Sequence, residues 1–460
     1  MLKNKKLSPY FILPLFFAVF FLISFKGLAT AQPGDENVYY YMGKLIAEGK
    51  IPYGDFLYAH PPLQIYMIAL IYKMLGFNIF ALKIVPLIST LISAFFVFKI
   101  AKEKFGDAEA IVATALFLFS YGIMFNSVFS FGVEIAAMLL IAGFYFLWNK
   151  TNYVLSGLFF GLASITRLLS LVPIAVILFF VFLSNRKNFI KLSSAFFAVF
   201  LLVNGIFLAI FGDNYLTPVY KYHFLKSFSY NENFMEYFDI VKLNWVLFAS
   251  ALLFIFVEDK KKLSIPVFIS AIYLILLAFL NKLFGFYFMV IFPFLAVIGS
   301  YGIANIFRNL NLAKKWKISI AAVLFPVFLW NLSSDVMFLQ KTGFPGFERG
   351  NDLAQFANSN SNENTLLFGD DSVVPLLALM VNKKIALDFV DTNNQVFIAR
   401  IRDLDKILDD LNGKDILFII RSKQGISAFE SVRDFLSQNC EFLSAFHDRM
   451  EGDYLVYRCK

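Results

Sequence analysis

Two adjacent acids, Asp35 and Glu36, open the stretch DENVYYYMGKLIAEGKIPYGDFLYAHPPL at residues 35–63. Adjacent carboxylates can accept protons, and a nearby apolar surface raises a carboxylate's pKa. Tyr39, Asp55 and His60 follow within the same stretch and add further hydrogen-bonding and titratable groups. Helix chemistry accounts for the acids in another way, with Asp35 as N-cap and Glu36 as a first-turn acid of a helix over residues 36–48.

Other residues stand out against apolar surroundings. Glu134 lies in VFSFGVEIAAMLL (128–140), where an ionised acid is costly unless paired or wetted; a snorkelling acid at a helix start is the alternative. Arg167 interrupts the otherwise uncharged residues 157–183 and needs an anionic partner, either a lipid phosphate or Glu134. Lys221, His223 and Lys226 in YKYHFLK (220–226) suit phosphate or acceptor binding, or else a solvated belt anchored by Tyr220 and Tyr222. Asp370-Asp371 follows a predicted strand, where paired acids serve as an N-cap or hold a cation. Three histidines and two cysteines in the whole chain argue against a histidine-rich catalytic metal centre and against a thiolate metal centre organising the fold. No metal ligands are assigned and no cofactor is identified; a divalent cation is compatible with the adjacent acids, which do not by themselves make a cation site.

The elements that position these groups belong to a membrane protein. Of 460 residues, 59% are apolar and 16% charged, and 60 are Phe. Uncharged or nearly uncharged runs at 7–28, 79–100, 108–127, 130–148, 153–167, 169–184, 192–211, 244–257, 263–281, 285–305 and 317–334 predict about eleven transmembrane helices. Basic residues recur in alternate connections: Lys102/Lys104, Lys150, Arg186/Lys187/Lys191, Lys260/Lys261/Lys262 and Arg308/Lys314/Lys315/Lys317. With Lys3, Lys5 and Lys6 this puts the N-terminus in the cytoplasm and the C-terminal tail outside. The longer loops 29–78 and 212–243 fall on the outer side. Residues 1–31 imitate a secretory signal ending in Ala29-Thr30-Ala31, but their apolar run exceeds the usual signal core and is read as a retained span. The net charge of +8 divides into +13 for residues 1–334 and −5 for residues 335–460. The basic excess sits in short inter-helix clusters rather than in a patch, which argues against nucleic acid as a partner and for membrane lipids.

Within the first outer loop, residues 36–48 read as an amphipathic helix lying on the membrane interface, and residues 63–75 as an interfacial or re-entrant helix after Pro61-Pro62. Residues 1–334 are expected to form the multispan domain and residues 335–460 a small α/β domain. Its predicted strands are 364–368, 384–389, 414–420, 441–447 and 453–459, with helices at 373–381, 394–411 and 426–437. The last two strands form a hairpin around Met450-Glu451-Gly452 that brings Cys440 nearly opposite Cys459, where an extracytoplasmic disulfide can form. His447 is a surface residue of that hairpin.

The stretch 35–63 resembles the first extracytoplasmic loop of GT-C glycosyltransferases, family 39 and its neighbours, which include protein O-mannosyltransferases and lipid A aminoarabinose transferases. The likeness rests on Asp35-Glu36, Tyr39, Gly49, Pro52-Tyr53, His60 and Pro61-Pro62-Leu63; at Leu75-Gly76-Phe77 the family's Leu-Phe-Gly is matched only in part. It extends to the plan of the chain, a multispan body followed by an outer C-terminal domain. The resemblance implies transfer of a sugar from a polyprenyl-phosphate donor to a hydroxyl of a lipid, glycan or protein acceptor on the extracytoplasmic face, with inversion at the sugar. It implies Asp35 as base, Glu36 beside it and Glu134 as a second carboxylate. Arg167 and Lys221 would meet the donor phosphate, and Tyr39, Asp55, His60, His223 and Tyr287 would line the substrate. A Pro-bent core helix explains Tyr287 and Pro293 equally well. A membrane transporter or lipid flippase is the competing reading, with Glu134 and Arg167 as coupling charges. Such a protein usually shows midplane charges and matched halves, and neither is evident in the sequence. A carrier-lipid-binding scaffold is a third.

Overall fold

The computed structural model describes residues 9–309, 314–422, 424–449 and 452–460. Lys3, Lys5, Lys6, Met450 and Glu451 lie outside the described residues, as do the side chains of Lys314, Lys315 and Lys317. The chain divides into two compact units. One comprises Met1–Gly27, Lys83–Gly205 and Ser229–Gly343; the other comprises Leu28–Leu82, Ile206–Phe228 and Phe344–Lys460. The expected division after residue 334 takes the tail by itself, whereas by contacts the tail is grouped with both long loops.

The first unit is helical. Each apolar run expected to span contains helix, but among the described residues not every run forms one helix of full spanning length. Ile12–Ala29, Ile79–Lys104, Arg186–Phe211 and Lys260–Ala278 are long and apolar enough to cross a membrane, and Tyr230–Leu243 with Trp245–Phe256 passes only as a pair bent by 80°. The run 108–127 breaks into Asp107–Leu118 and Tyr121–Asn126 because Ser120 is extended and its hydroxyl bonds back to the Phe117 carbonyl. The run 285–305 begins as the tight turn Gly285–Val290 before the helix Phe292–Asn309. Small residues let helices approach: a Cβ on Gly157 would lie 2.4 Å from the Leu192 carbonyl oxygen, and one on Gly161 2.5 Å from Val199 Cβ. That four-residue spacing is the close-packing face usual between apolar helices.

The second unit is built on a four-stranded sheet of β1 (Leu366–Gly369), β2 (Ile416–Arg421), β3 (Cys440–Asp448) and β4 (Gly452–Cys459). Their order is β1-β2-β4-β3, with β1 parallel to β2 and the other pairs antiparallel. Phe368, Ile416, Phe418 and Ile420 are buried against Leu404, Leu408 and Leu411 of the helix Leu404–Leu411, whose apolar residues recur at helical spacing. The predicted strand at 384–389 is instead the short turn Ala386–Asp388, because Leu387 and Asp388 adopt φ of 58° and 50°, left-handed values that no strand accommodates. The predicted helix at 394–411 is two, Asn394–Ile398 and Leu404–Leu411; Arg400 turns left-handed between them and the Asp403 carboxylate caps the second. A further helix, Gly350–Ser359, was not anticipated.

The helix Glu36–Ala47 corrects another expectation. Nine of its residues from Glu36 to Leu45 are buried, so its apolar face packs against protein rather than standing free for lipid. Its neighbours within the unit are the helices Leu63–Leu75, where Gly43 lets Ile68 approach, and Val374–Met380. Polar ties complete the seat: Lys44 Nζ donates to Asn382 Oδ1 at 3.1 Å, the Ile385 N–H donates to the Tyr41 hydroxyl at 2.8 Å, and Lys50 pairs with Asp388 at 3.1 Å.

Cys440 and Cys459 are register partners on β3 and β4 and form a disulfide. Closing a loop of 19-residue separation removes denatured-state entropy worth about 3 kcal/mol. Cys440→Ser is therefore expected to lower the thermal midpoint of the tail and to open the edge strand β3 to protease, read by limited digestion of the full chain. An unchanged midpoint would show that the bond adds nothing to folding.

Candidate active site

Asp35 sits just before the buried helix Glu36–Ala47, and its side chain makes no capping hydrogen bond. The N-cap explanation therefore fails, and the exposed carboxylate is not committed to the helix end. Its backbone is fixed on both sides. The Gly34 N–H donates to the Ser372 carbonyl at 2.9 Å, and Asn37 Nδ2 donates to the carbonyls of Gln32 and Gly34 at 2.9 and 3.0 Å. Glu36 turns the other way: it is 1% exposed and accepts a hydrogen bond from the Tyr40 hydroxyl one turn later, at 3.0 Å.

One turn along the same helix, the Tyr39 hydroxyl lies 3.2 Å from His60 Nε2. The His60 ring stacks on His223, centroids 5.4 Å apart and planes 25° apart. His223 Nε2 is 2.9 Å from the Ala59 carbonyl, an acceptor only, so this nitrogen carries the proton. The loop before His60 is anchored by Tyr53, which is buried against Phe207, Phe211 and Tyr215 and donates to the His60 carbonyl at 2.6 Å. Asp55 is spent on this turn, since its Oδ2 accepts the Ile51 N–H at 2.7 Å. Lys221 is exposed and pairs with an exposed Asp213 at 3.3 Å.

The structure adds groups from the tail. β1 ends at Gly369, and Asp370 and Asp371 follow at the carboxyl end of the parallel pair, the edge where α/β sheets hold ligands. Asp370 is fixed, with Oδ2 taking Arg421 Nε at 3.1 Å and Oδ1 taking the Ser372 N–H at 3.0 Å. The Thr392 hydroxyl donates to the Gly369 carbonyl at 2.6 Å and so brings Asp391 to the same edge. Burial pushes the Asp371 carboxyl well above the ordinary carboxylate range; the charges of Asp370, Asp35 and Asp391 act in the same direction, against the Arg421 guanidinium. Burial and the neighbouring acids thus both favour the neutral form of the Asp371 carboxyl. Burial, with the Asp35 charge adding to it, raises Asp391 to about 6, against the Asn393 N–H and the Lys226 ammonium. Among the described residues no three His, Cys, Asp or Glu side chains are arranged to hold a metal ion.

Asp391 makes a pH-dependent prediction. Its folded pKa lies above its unfolded one, so folding favours the protonated form, and that stabilisation is complete below about pH 4 and lost as pH rises through about 6. Asp391→Asn is expected to match wild type in thermal midpoint at pH 4 and to exceed it above pH 6.5. Parallel midpoint curves from pH 4 to 8 would remove the assignment.

The first unit holds the remaining candidates. Glu134 begins the helix Val133–Trp148, is 1% exposed and accepts the Gly132 N–H at 2.9 Å, so it is a buried helix-start acid and does not snorkel. Arg167 is 5% exposed, extended, and directly precedes the turn Leu168–Ser170, whose Ser170 hydroxyl donates to the Arg167 carbonyl at 2.8 Å. That turn and the turn Gly285–Val290, which carries Tyr287, both pack on the Val133–Trp148 helix. The Tyr287 carbonyl accepts the Tyr273 hydroxyl at 3.1 Å. Lys83, inside a run read as apolar, is fully buried over the Phe129 ring and donates to the Gly27 carbonyl at 3.3 Å.

The comparisons with known proteins agree with this architecture. Residues 59–211 match the family model described as dolichyl-phosphate-mannose-protein mannosyltransferase. No curated protein sequence matches significantly. ArnT from Cupriavidus metallidurans, solved in the apo state and bound to undecaprenyl phosphate, is similar in structure with a TM-score of 0.67 at 14% identity, covering 96% of this chain and 97% of that one. The oligosaccharyltransferase AglB from Archaeoglobus fulgidus, in complex with an inhibitory peptide and a dolichol-phosphate, gives 0.61 at 11% identity over 98% and 74% of the two chains. The arabinofuranosyltransferase AftD from Mycobacteria gives 0.56 at 13% identity over 97% and 40%. Over nearly its whole length the chain thus has the fold of the GT-C membrane glycosyltransferases, with the mannosyltransferase-family match falling on residues 59–211.

Proposed function

We propose that the protein is an inverting glycosyltransferase that moves a sugar from a polyprenyl-phosphate carrier to an acceptor hydroxyl on the extracytoplasmic face. The observation that carries the reading is Asp35, an exposed carboxylate held rigidly at the head of a buried helix that it does not cap. Asp35 takes the hydroxyl proton as the acceptor oxygen bonds to the anomeric carbon. The carbon–oxygen bond to phosphate breaks, and its electron pair leaves with the carrier phosphate. One displacement of this kind inverts the anomeric centre, and the carrier phosphate is a leaving group that needs little further help.

Near Asp35, Asp371 adds a second carboxyl on which the Asp35 charge acts, and the Tyr39–His60–His223 set offers polar contacts for a sugar or its acceptor. Glu36, buried on Tyr40, positions the helix rather than touching substrate. Asp55 and Lys221 recede from the proposal because each is engaged elsewhere, Asp55 in its turn and Lys221 with Asp213. In the first unit Arg167 is the group suited to a donor phosphate and Glu134 the second candidate carboxylate. The Cys440–Cys459 bond supports an oxidising, extracytoplasmic setting for the tail.

The test is turnover of a panel of polyprenyl-phosphate sugars by purified full-length protein, with membrane extract as acceptor. Donor consumption with labelled product supports the transferase. A panel left intact by folded wild-type protein counts against it and favours carrier binding or transport.

A further inference from the structure

On the tail, a cleft of about 560 Å³ opens between the helix Glu430–Asn439 and strands β2 and β4. This volume falls among ordinary small-molecule sites, which run from about 300 to 1,000 Å³. Its floor is apolar, formed by Ile420, Leu436 and Leu455, and its rim carries Ser422, Arg433 and Tyr457. These rim groups keep hydrogen-bonding capacity. Arg433 directs Nη1 to the carbonyls of Ser427 and Ala428, at 3.0 and 2.9 Å, and among the described residues its other guanidinium nitrogens have no partner. The hydroxyls of Ser422 and Tyr457 likewise bond to nothing among the described residues. Phe442, the cross-strand neighbour of Tyr457, is 52% exposed with its ring 5.4 Å away, and it extends the aromatic surface beside the cleft.

Position gives the cleft its meaning. It lies at the carboxyl end of β2, where Arg421 reaches to Asp370. Side chains alternate along a strand, so Ile420 faces away from Arg421 and into the cleft. One strand end thus serves the Asp35–Asp371 edge on one side and the cleft on the other. A pyranose ring has an apolar face of C–H groups and a rim of hydroxyls, which is the pattern of an apolar floor, an aromatic wall and unspent donors.

We propose that this cleft is a saccharide-binding subsite that holds the non-reacting part of a glycan acceptor. The proposal rests on the transferase reading for the word acceptor and on the cleft alone for saccharide binding.

The experiment presents purified, labelled full-length protein to a printed array of neutral and acidic di- to tetrasaccharides and of peptides. Wild type is expected to be retained by a subset of the glycans. Ser437→Trp, at an exposed helix position on the cleft, fills it without touching the core, and Arg433→Ala removes the cation; each is expected to lower retention about tenfold. Asp35→Asn is expected to leave retention unchanged. The proposal is overturned if no glycan retains the protein, if peptides retain it instead, if Ser437→Trp is retained as well as wild type, or if Asp35→Asn abolishes retention. Donor consumption in the same preparations keeps the two readings apart: glycan retention without donor turnover upholds the cleft and removes the transferase, and turnover without retention does the reverse.

Discussion

Asparagine at position 35 is expected to cut turnover of the sugar donor by about 10²–10⁴-fold, the usual contribution of a positioned general base. The substitution is nearly isosteric, and the Asp35 side chain makes no capping bond, so the Glu36–Ala47 helix loses no cap at its start. The Gly34–Ser372 bond and the Asn37 turn are unaffected, because the groups they use belong to neighbouring residues. An amide can still accept a hydrogen bond from the acceptor but cannot take its proton. The loss should therefore appear in kcat, with donor affinity kept, and Asp35→Glu should recover part of it. Glu36→Gln makes the contrast: that carboxylate is buried on Tyr40, so its variant should lower stability before it lowers rate. Initial rates at saturating donor, with protease resistance as the folding check, decide the matter. A fully active Asp35→Asn enzyme would take the proton-accepting role from this residue.

Much of this was readable in the chain because the signals are local. The residues from Asp35 to Leu63 lie in one short stretch, and the two cysteines flank one hairpin. What escaped depends on long-range folding. Asp391 and Arg421 reach the Asp35 edge only because β1 pairs in parallel with β2 and Thr392 hooks onto Gly369, and no neighbour in sequence announces either. Amphipathicity foretold the Glu36–Ala47 helix but not what covers it, since an apolar face reads the same against lipid as against the Val374–Met380 helix. The hydrophobic pattern of residues 384–389 suits a strand, yet two successive left-handed residues end it. Hydropathy also cannot see the extended Ser120 that divides one apparent span into two helices.

The same edge yields the second large effect. Gly369 closes β1 with φ of +137°, and a Cβ built there would lie 1.8 Å from the Ile419 carbonyl oxygen and 2.7 Å from its carbon. Both atoms are backbone of β2, so no rotamer change relieves the overlap, and alanine fits only if β1 is levered away from β2. That movement also breaks the 2.8 Å bond from the Asp370 N–H to the Ile419 carbonyl and displaces the carbonyl that holds Thr392. Gly369→Ala is therefore expected to destabilise the tail by about 4 kcal/mol or more, in the range reserved for severe core or backbone conflicts, and to abolish transfer by dispersing Asp371 and Asp391. Gly413 supplies the control. It has φ of +74° but open space around its Cβ, so Gly413→Ala carries only left-handed strain of about 1–2 kcal/mol. Thermal midpoints and protease sensitivity of the two variants separate the effects. Equal losses would mean that the β1–β2 approach is looser than the geometry requires, and that the carboxylate edge does not depend on it.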